Sequence, residues 1–306
     1  MKKAVLLSVL LLHCIGALAQ YSISTDGAAS VSSAGLRVPR DPAALGTGGI
    51  STLAPSAYAA FSNPGTVPFG GGMMDAAVSY ECWQPGLGVS DDINAGITYN
   101  IADKAGIAFG FAVDNQRLSM MAADDDGVHT DAGIPATLLL GLGASWRFLD
   151  CLAVGANAKY MTQHYATLDI NTLAFDALLT FRGWGVSAAA GVRDIGPELT
   201  EGAALPTSVS AAMSYDAVFG DHAFTTAVEV DWFLYGALCT AAGLQYCWND
   251  AVAVRCGYNY GGESPLGDFV SVGAGWCWRG LHLDGAWLFA DGPLANTFSI
   301  SIGYKF

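Results

Sequence analysis

The chain of 306 residues is poor in charged side chains and lacks the long apolar runs of helical membrane proteins. Charged residues make up 13% of the sequence and hydrophobic residues 52%. Beyond residues 1–19, no apolar run approaches the roughly 18 residues that a membrane-spanning helix requires. The apolar residues are dispersed in short segments instead, which disfavours a helical membrane protein.

Basic residues are also scarce, with 13 Lys and Arg against 27 Asp and Glu and a formal net charge of -14. Nucleic acid is excluded as a partner, because neutralising its phosphates needs a basic face. The acidic clusters are typical of solvated loops. A divalent-cation site at Asp124–Asp126 is the alternative, but the spacing lacks the glycine and distal glutamate of an EF-hand loop. The clusters are Asp91–Asp92, Asp124–Asp126, Asp131, Glu198 and Glu201.

The chain has no C-x-x-C pair and no nucleophile placed beside a base. We therefore predict no zinc site, no other metal and no cofactor. The six cysteines after residue 19 are interpreted mostly as small wall residues, although an exported protein could form disulfides. His129, His164, His222 and His282 are scattered, so the sequence predicts no enzyme. The six cysteines are Cys82, Cys151, Cys239, Cys247, Cys256 and Cys277.

The first residues have the layout of a secretory signal peptide. Met1-Lys2-Lys3 precedes the apolar stretch Ala4–Leu12, and Ala17-Leu18-Ala19 forms a small-x-small cleavage site. Residues 1–19 are therefore predicted to be removed, so that the mature chain begins near Gln20. A lipoprotein modified at Cys14 is disfavoured, because His13 stands where a small residue is needed.

From about residue 74 to the end, segments of roughly 8 to 13 residues alternate in hydrophobicity and are separated by turn formers. In Val252–Tyr260 the apolar set is opposed by Ala253, Arg255, Gly257 and Asn259. One alternating strand would also suit a soluble sandwich, but here the second face is small or polar throughout. Apolar residues outside and polar residues inside are what a bilayer requires. The sequence therefore predicts an all-β, transmembrane, antiparallel β-barrel surrounded by outer-membrane lipid.

About fourteen strands are predicted, and the connections between them alternate between short and long. With both termini in the periplasm, the short turns would be periplasmic and the acidic loops extracellular. The strands are 74–81, 93–100, 105–118, 136–148, 152–163, 171–182, 184–193, 205–215, 222–233, 238–248, 251–260, 269–278, 280–289 and 297–306.

Aromatic residues cluster near the predicted strand ends, as interfacial girdles require. Some are expected to contact the lumen or the plug instead. The set is Trp83, Tyr99, Trp146, Phe148, Tyr160, Trp184, Tyr215, Trp232, Trp248, Tyr260, Trp278 and Phe289.

Residues 20–73 are rich in Gly, Ala, Ser and Pro and show weak periodicity. A fourteen-stranded barrel leaves a lumen too wide for wall side chains alone to fill, so we predict that this segment is a plug and that 74–306 form the barrel. A disordered periplasmic tail is the alternative. The predicted inward charges, which would pair within the wall, are Arg147, Lys159, Glu229, Asp231, Arg255 and Asp284.

Two motifs in the N-terminal part resemble the signature of the PorV/PorQ family, within the FadL-like outer-membrane barrels. One is the Gly48-Gly49 turn after Asp41-Pro42, and the other is Asn63-Pro64-Gly65, where the family has Asn-Pro-Ala. Further similarity lies at Trp83-Gln84-Pro85-Gly86-Leu87, Asp194-Ile195-Gly196-Pro197, Leu205-Pro206-Thr207 and Pro293-Leu294-Ala295-Asn296-Thr297. Gly48, Gly49, Asn63 and Pro64 are accordingly identified as plug-turn residues.

The resemblance implies a fourteen-stranded barrel with an N-terminal plug, and no enzymatic activity. It implies a role in type IX secretion, docking secreted cargo proteins or translocon partners. The polar inward faces favour this role over the alternative, a FadL-like channel for hydrophobic small molecules, which should have a continuous apolar track. Tyr304 and Phe306 at the C-terminus resemble the signal that the outer-membrane insertion machinery recognises.

Overall fold

A computed structural model describes residues 34–83, 90–116, 121–123, 129–131, 136–165, 168–197, 205–262, 267–290 and 296–306. The predicted signal peptide, Asp124–Asp126, Glu198 and Glu201 lie outside these ranges. Fourteen strands form one closed antiparallel barrel, in which β1 pairs with β16. Within the described ranges, no helix is long and apolar enough to cross a membrane.

The strand prediction agrees closely with this barrel, because every predicted strand corresponds to one barrel strand. The short hairpin of β4 and β5 lies outside the barrel sheet and was not predicted. The strands are β1 (Met74–Trp83), β2 (Ser90–Ile101), β3 (Ala105–Gln116), β4 (Met121–Ala123), β5 (His129–Asp131), β6 (Ala136–Leu149), β7 (Leu152–Tyr165), β8 (Leu168–Gly183), β9 (Val186–Ile195), β10 (Ser208–Phe219), β11 (His222–Phe233), β12 (Leu238–Trp248), β13 (Val252–Tyr260), β14 (Phe269–Trp278), β15 (Leu281–Phe289) and β16 (Phe298–Lys305).

The two ends of the barrel differ in their connections. At one end, several turns contain two consecutive residues with positive φ, as at Ala102–Asp103 (52° and 56°) and Arg279–Gly280 (51° and 87°). This pattern is typical of type I′ turns, whose twist matches that of the flanking strands. The C-terminus lies here too, since the Met73 nitrogen donates to the Phe306 carbonyl at 2.8 Å. We call this the short-turn end and the opposite one the long-loop end.

The two faces of the wall have opposite chemistry. On β2, Ile93 is 51% exposed and Tyr99 43%, whereas Asn94 and Thr98 point inward and are buried. The outer surface is thus an apolar belt that would be unstable in water and is suited to lipid. Trp83 departs from the girdle prediction, because it faces inward and packs in a buried cluster with Leu45, Phe269 and Leu288.

Residues 34–73, the N-terminal segment, pack against the inward face. They contain 3-10 helices at Ala34–Arg37, Ala59–Phe61 and Pro64–Phe69 and one short α-helix at Pro42–Leu45. Strand glycines permit the approach, because a Cβ at Gly257 would meet the Gly48 backbone and one at Gly110 the Phe61 ring.

Candidate functional site

The Gly48-Gly49 turn fixes the N-terminal segment against β13 and β14. Its two φ angles are +81° and +88°, a region that L side chains rarely adopt. The Gly49 nitrogen donates to the Ala44 carbonyl at 2.9 Å and so ends the α-helix. The Gly48 nitrogen donates to Ser271 Oγ, also at 2.9 Å. This turn therefore needs glycine both for its conformation and for its contact with the wall.

Asp41 begins that α-helix and lies beside a cavity in the lumen. Its carboxylate accepts the Ala43 N–H at 2.8 Å and the Ser56 hydroxyl at 2.6 Å. Burial raises the pKa of Asp41, and the hydrogen bond from Ser56 opposes the rise. The residue thus combines a helix cap with a carboxylate that borders the cavity.

Asn63 of the N-terminal segment is fully buried and faces β8. Its amide nitrogen donates to the Thr52 carbonyl at 2.8 Å and to Thr180 Oγ1 at 2.9 Å, while its Oδ1 accepts the Gly65 N–H at 2.9 Å. Pro64 follows as the first residue of a 3-10 helix, where its missing N–H costs nothing. Asn63-Pro64 therefore begins a 3-10 helix, with Asn63 as its cap.

Lys159 occupies the centre of a buried charge network near the long-loop end. It is 0% exposed, lies 2.9 Å from Asp176 and also contacts Asp194. Arg37 of the N-terminal segment pairs with the same Asp194 at 2.8 Å. Because Asp194 has a φ of +54° and follows a register shift between β8 and β9, its side chain turns inward. The bulge thereby joins the N-terminal segment to the wall.

Glu229 on β11 forms a further polar contact between the segment and the wall. Its Oε2 accepts a hydrogen bond from the Thr52 hydroxyl at 2.7 Å, and its Oε1 accepts one from Arg193 Nη1 at 3.2 Å. Asp231, on the same strand, lies 3.5 Å from Arg37. Together with the Arg37–Asp194 pair, these interactions hold both ends of residues 37–52.

The remaining predicted charges lie toward the short-turn end. Arg255 pairs with Asp284 at 2.6 Å and donates to Gln245 Oε1, also at 2.6 Å. Arg147 differs from the other five, because its guanidinium bonds the Asp150 carbonyl and packs over the Phe69 ring. It therefore lies at the rim and bonds turn carbonyls instead of an acid.

Several charged residues of the lumen were not identified from the sequence. Asp176 was detectable, because it follows the inward alternation of β8. Arg37 and Arg40 belong to a segment without periodicity, and Asp194 faces inward only because of the bulge. Hydrophobic periodicity therefore could not predict a residue in the aperiodic segment or a residue in a bulge.

A cavity of about 750 Å³ extends from the N-terminal segment toward the short-turn end. Residues from Asp41 to Tyr58 form one side, and residues of β1 and β8–β16 form the other. Its lining mixes apolar Ile50 and Leu53 with charged Arg182 and Asp216. Its volume lies within the range of about 300–1,000 Å³ that is usual for small-molecule sites.

Tyr304 and Phe306 lie on the outer face at the short-turn end, 43% and 57% exposed. Their rings contact edge to face with centroids 4.6 Å apart. The six cysteines after residue 19 are free thiols. Within the described part of the chain, no group of three or more His, Cys, Asp or Glu side chains is arranged to hold a metal ion.

No protein-family model and no curated protein matches the chain, but solved structures do. CymD, described as a monoaromatic hydrocarbon channel, superposes with a TM-score of 0.58 at 11% identity, covering 88% of this chain and 98% of CymD. The Pseudomonas putida toluene transporter TodX gives 0.54 at 12% identity, covering 85% and 95%. A Pseudomonas aeruginosa FadL homologue gives 0.49 at 14%, covering 94% and 99%; this score is too low to carry weight.

At such identities the likeness concerns the fold alone. The barrel fold is shared with CymD and TodX. Together with the apolar outer belt, it gives the chain a transmembrane, outer-membrane location, as the sequence predicts. CymD is described as a channel and TodX as a transporter, which is consistent with the prediction of a protein that is not an enzyme. The narrower resemblance to PorV/PorQ stays a prediction.

Proposed function

We propose that the protein is an outer-membrane channel for small hydrophobic molecules, in which the N-terminal segment is a plug. The observation that carries the proposal is the contact of this segment with opposite sides of the wall, at Gly110 on β3 and at Gly257 on β13. A lumen filled in this way passes solute only when the segment moves. The fold shared with CymD and TodX supports the solute class.

The path of the solute would include the cavity between the N-terminal segment and the short-turn end. We place the short-turn end in the periplasm, since the short connections of bacterial barrels lie there. Tyr304 and Phe306 would then be read from the periplasm by the outer-membrane insertion machinery. A solute released past the plug would enter a cavity that already extends toward this side.

Uptake into liposomes tests the channel. The mature protein is reconstituted, and the entry of a monoaromatic hydrocarbon is compared with that of a sugar of similar size. We expect the hydrocarbon to enter faster than into protein-free liposomes, and faster still through Asn63→Ala, which loosens the segment. Equal hydrocarbon entry with and without protein, in both wild type and Asn63→Ala, would contradict the proposal.

A role in type IX secretion is the second candidate, and the charged lumen favours it. Lys159, Glu229 and Arg255 interrupt the inward surface with ion pairs, whereas a path for hydrophobic solutes should be apolar. Such a protein would dock cargo or translocon partners through its loops and rim. Purification from the native membrane in mild detergent distinguishes the two: co-purified partners favour docking, and the barrel alone counts against it.

A further inference from the structure

Four polar residues lie side by side on the inward face near the long-loop end. Glu81 on β1 is directly opposite Ser299 on β16 and Asp92 on β2, and Asp92 is opposite Asp114 on β3. Glu81 is 0% exposed, Ser299 1% and Asp92 3%. The row crosses the seam at which the first and last strands close the barrel.

One cation of the N-terminal segment faces three carboxylates in this row. Arg40 binds both oxygens of Asp114, at 2.7 and 3.0 Å, and reaches Asp92 at 3.5 Å. Like charges directly opposite on neighbouring strands are destabilising, so Glu81 and Asp92 repel each other at close range. With all groups ionised, the row holds two more negative charges than positive ones.

Glu81 and Ser299 are also unsatisfied as hydrogen-bonding groups. Among the described residues, neither carboxylate oxygen of Glu81 has a hydrogen-bond partner, and neither does the Ser299 hydroxyl. A proton on Glu81 would remove one charge but leave these bonds unmade, and a buried polar group without partners is costly. A hydrated cation would both neutralise the excess negative charge and give these oxygens a partner.

We propose that Glu81, Asp92 and Ser299 form a binding site for a hard divalent cation such as Ca²⁺. Carboxylate and hydroxyl oxygens are the ligands that such ions prefer, and the excess of two negative charges equals the charge of one ion. Asp114 is occupied by Arg40. The ligands would therefore be the carboxylates of Glu81 and Asp92, the Ser299 hydroxyl and water. The ion would join β16, β1 and β2 and so stabilise the seam, independently of any transport.

Terbium luminescence tests the site, because Trp83 lies on the same face two residues from Glu81 and can sensitise a bound Tb³⁺. The mature protein is stripped with chelator and titrated with Tb³⁺ during tryptophan excitation, and Ca²⁺ is then added as competitor. We expect Glu81→Gln to weaken Tb³⁺ binding by at least about tenfold, since it removes one of two charged ligands. Ser299→Ala is expected to weaken it less.

Asp216→Asn is the matched control, an inward acid at the short-turn end whose carboxylate accepts the Thr225 hydroxyl at 2.7 Å. It should bind Tb³⁺ like the wild type, which would show that the loss in Glu81→Gln does not follow from removing any inward carboxylate. Ca²⁺ should also raise the unfolding temperature of the wild type but not of Glu81→Gln. Equal Tb³⁺ affinity in wild type and Glu81→Gln, with no Ca²⁺ effect on unfolding, would overturn the proposal and leave a protonated Glu81.

Discussion

The two halves of the lumen are built differently. Toward the long-loop end, the ion pairs of Lys159, Asp176 and Asp194 have side chains with no exposed surface. Toward the short-turn end, Arg255 and Asp284 are 10% and 14% exposed and border a cavity of about 750 Å³. Because Arg37 pairs with the same buried Asp194, the N-terminal segment has a dry ionic contact on one side and faces open space on the other.

For the plug movement proposed above, the difference predicts which side of the segment is released first. Removing one partner of a buried ion pair costs about 3–5 kcal/mol, because the other charge is left buried. A pair that water can reach costs less to break, and a fully exposed pair contributes only about 0–1 kcal/mol. Displacement should therefore begin at the short-turn side, while Arg37 and its partners act as the anchor.

Lys159→Met is the substitution with the largest expected effect. It leaves Asp176 and Asp194 buried without their lysine, so unfolding free energy should fall by about 3–5 kcal/mol. Arg255→Met is the control from the open half, where water can reach the freed Asp284, and its loss should be smaller. Denaturant unfolding in detergent measures both, and equal losses would abolish the contrast between the halves.

Gly257→Ala tests the contact of the segment with the wall. A methyl group there would meet the Gly48 backbone, and overpacking of this kind costs about 3 kcal/mol at the upper end of the usual range. Gly285→Ala is a matched control on the outer face, because the nearest atom to its Cβ is 3.8 Å away. Thermal unfolding and protease sensitivity of the segment should change only for Gly257→Ala. Equal behaviour of the two variants would argue against a tight contact.

Asn63→Ala should have an intermediate effect. It removes three hydrogen bonds and leaves Thr180 Oγ1 and the Thr52 carbonyl without this donor, which should cost about 2 kcal/mol. Asn171→Ala is the control, since its Oδ1 accepts the Tyr160 hydroxyl on the exposed face and should matter little. If both variants unfold alike, Asn63 does not anchor the segment.

The sequence predicts the wall better than the contents of the lumen, and the reason is periodicity. A period of two allows only one inward face, so alternation alone is enough to put Val254 outside and Lys159 inside. The start of β9 was misjudged by two residues, since Trp184 and Gly185 form a turn with positive φ. Asp194 escapes the alternation because a bulge turns it inward, and the partner Arg37 lies in a segment without any period.

Asp41→Asn should have the smallest effect, and it concerns the boundary between the two halves. Asparagine caps a helix as well as aspartate does, so the Ala43 contact should survive, whereas Asp41→Ala should lose about 1 kcal/mol.

Burial raises the pKa of Asp41, which means that the folded state binds this proton more tightly than the unfolded state. Wild-type stability should therefore fall as pH rises from the ordinary carboxyl pKa to the raised one, while Asp41→Asn lacks this decline. Thermal unfolding at acidic and neutral pH should show the variant gaining on the wild type as pH rises. If the two curves stay parallel, water from the cavity solvates Asp41, and the open half reaches further into the segment than its contacts suggest.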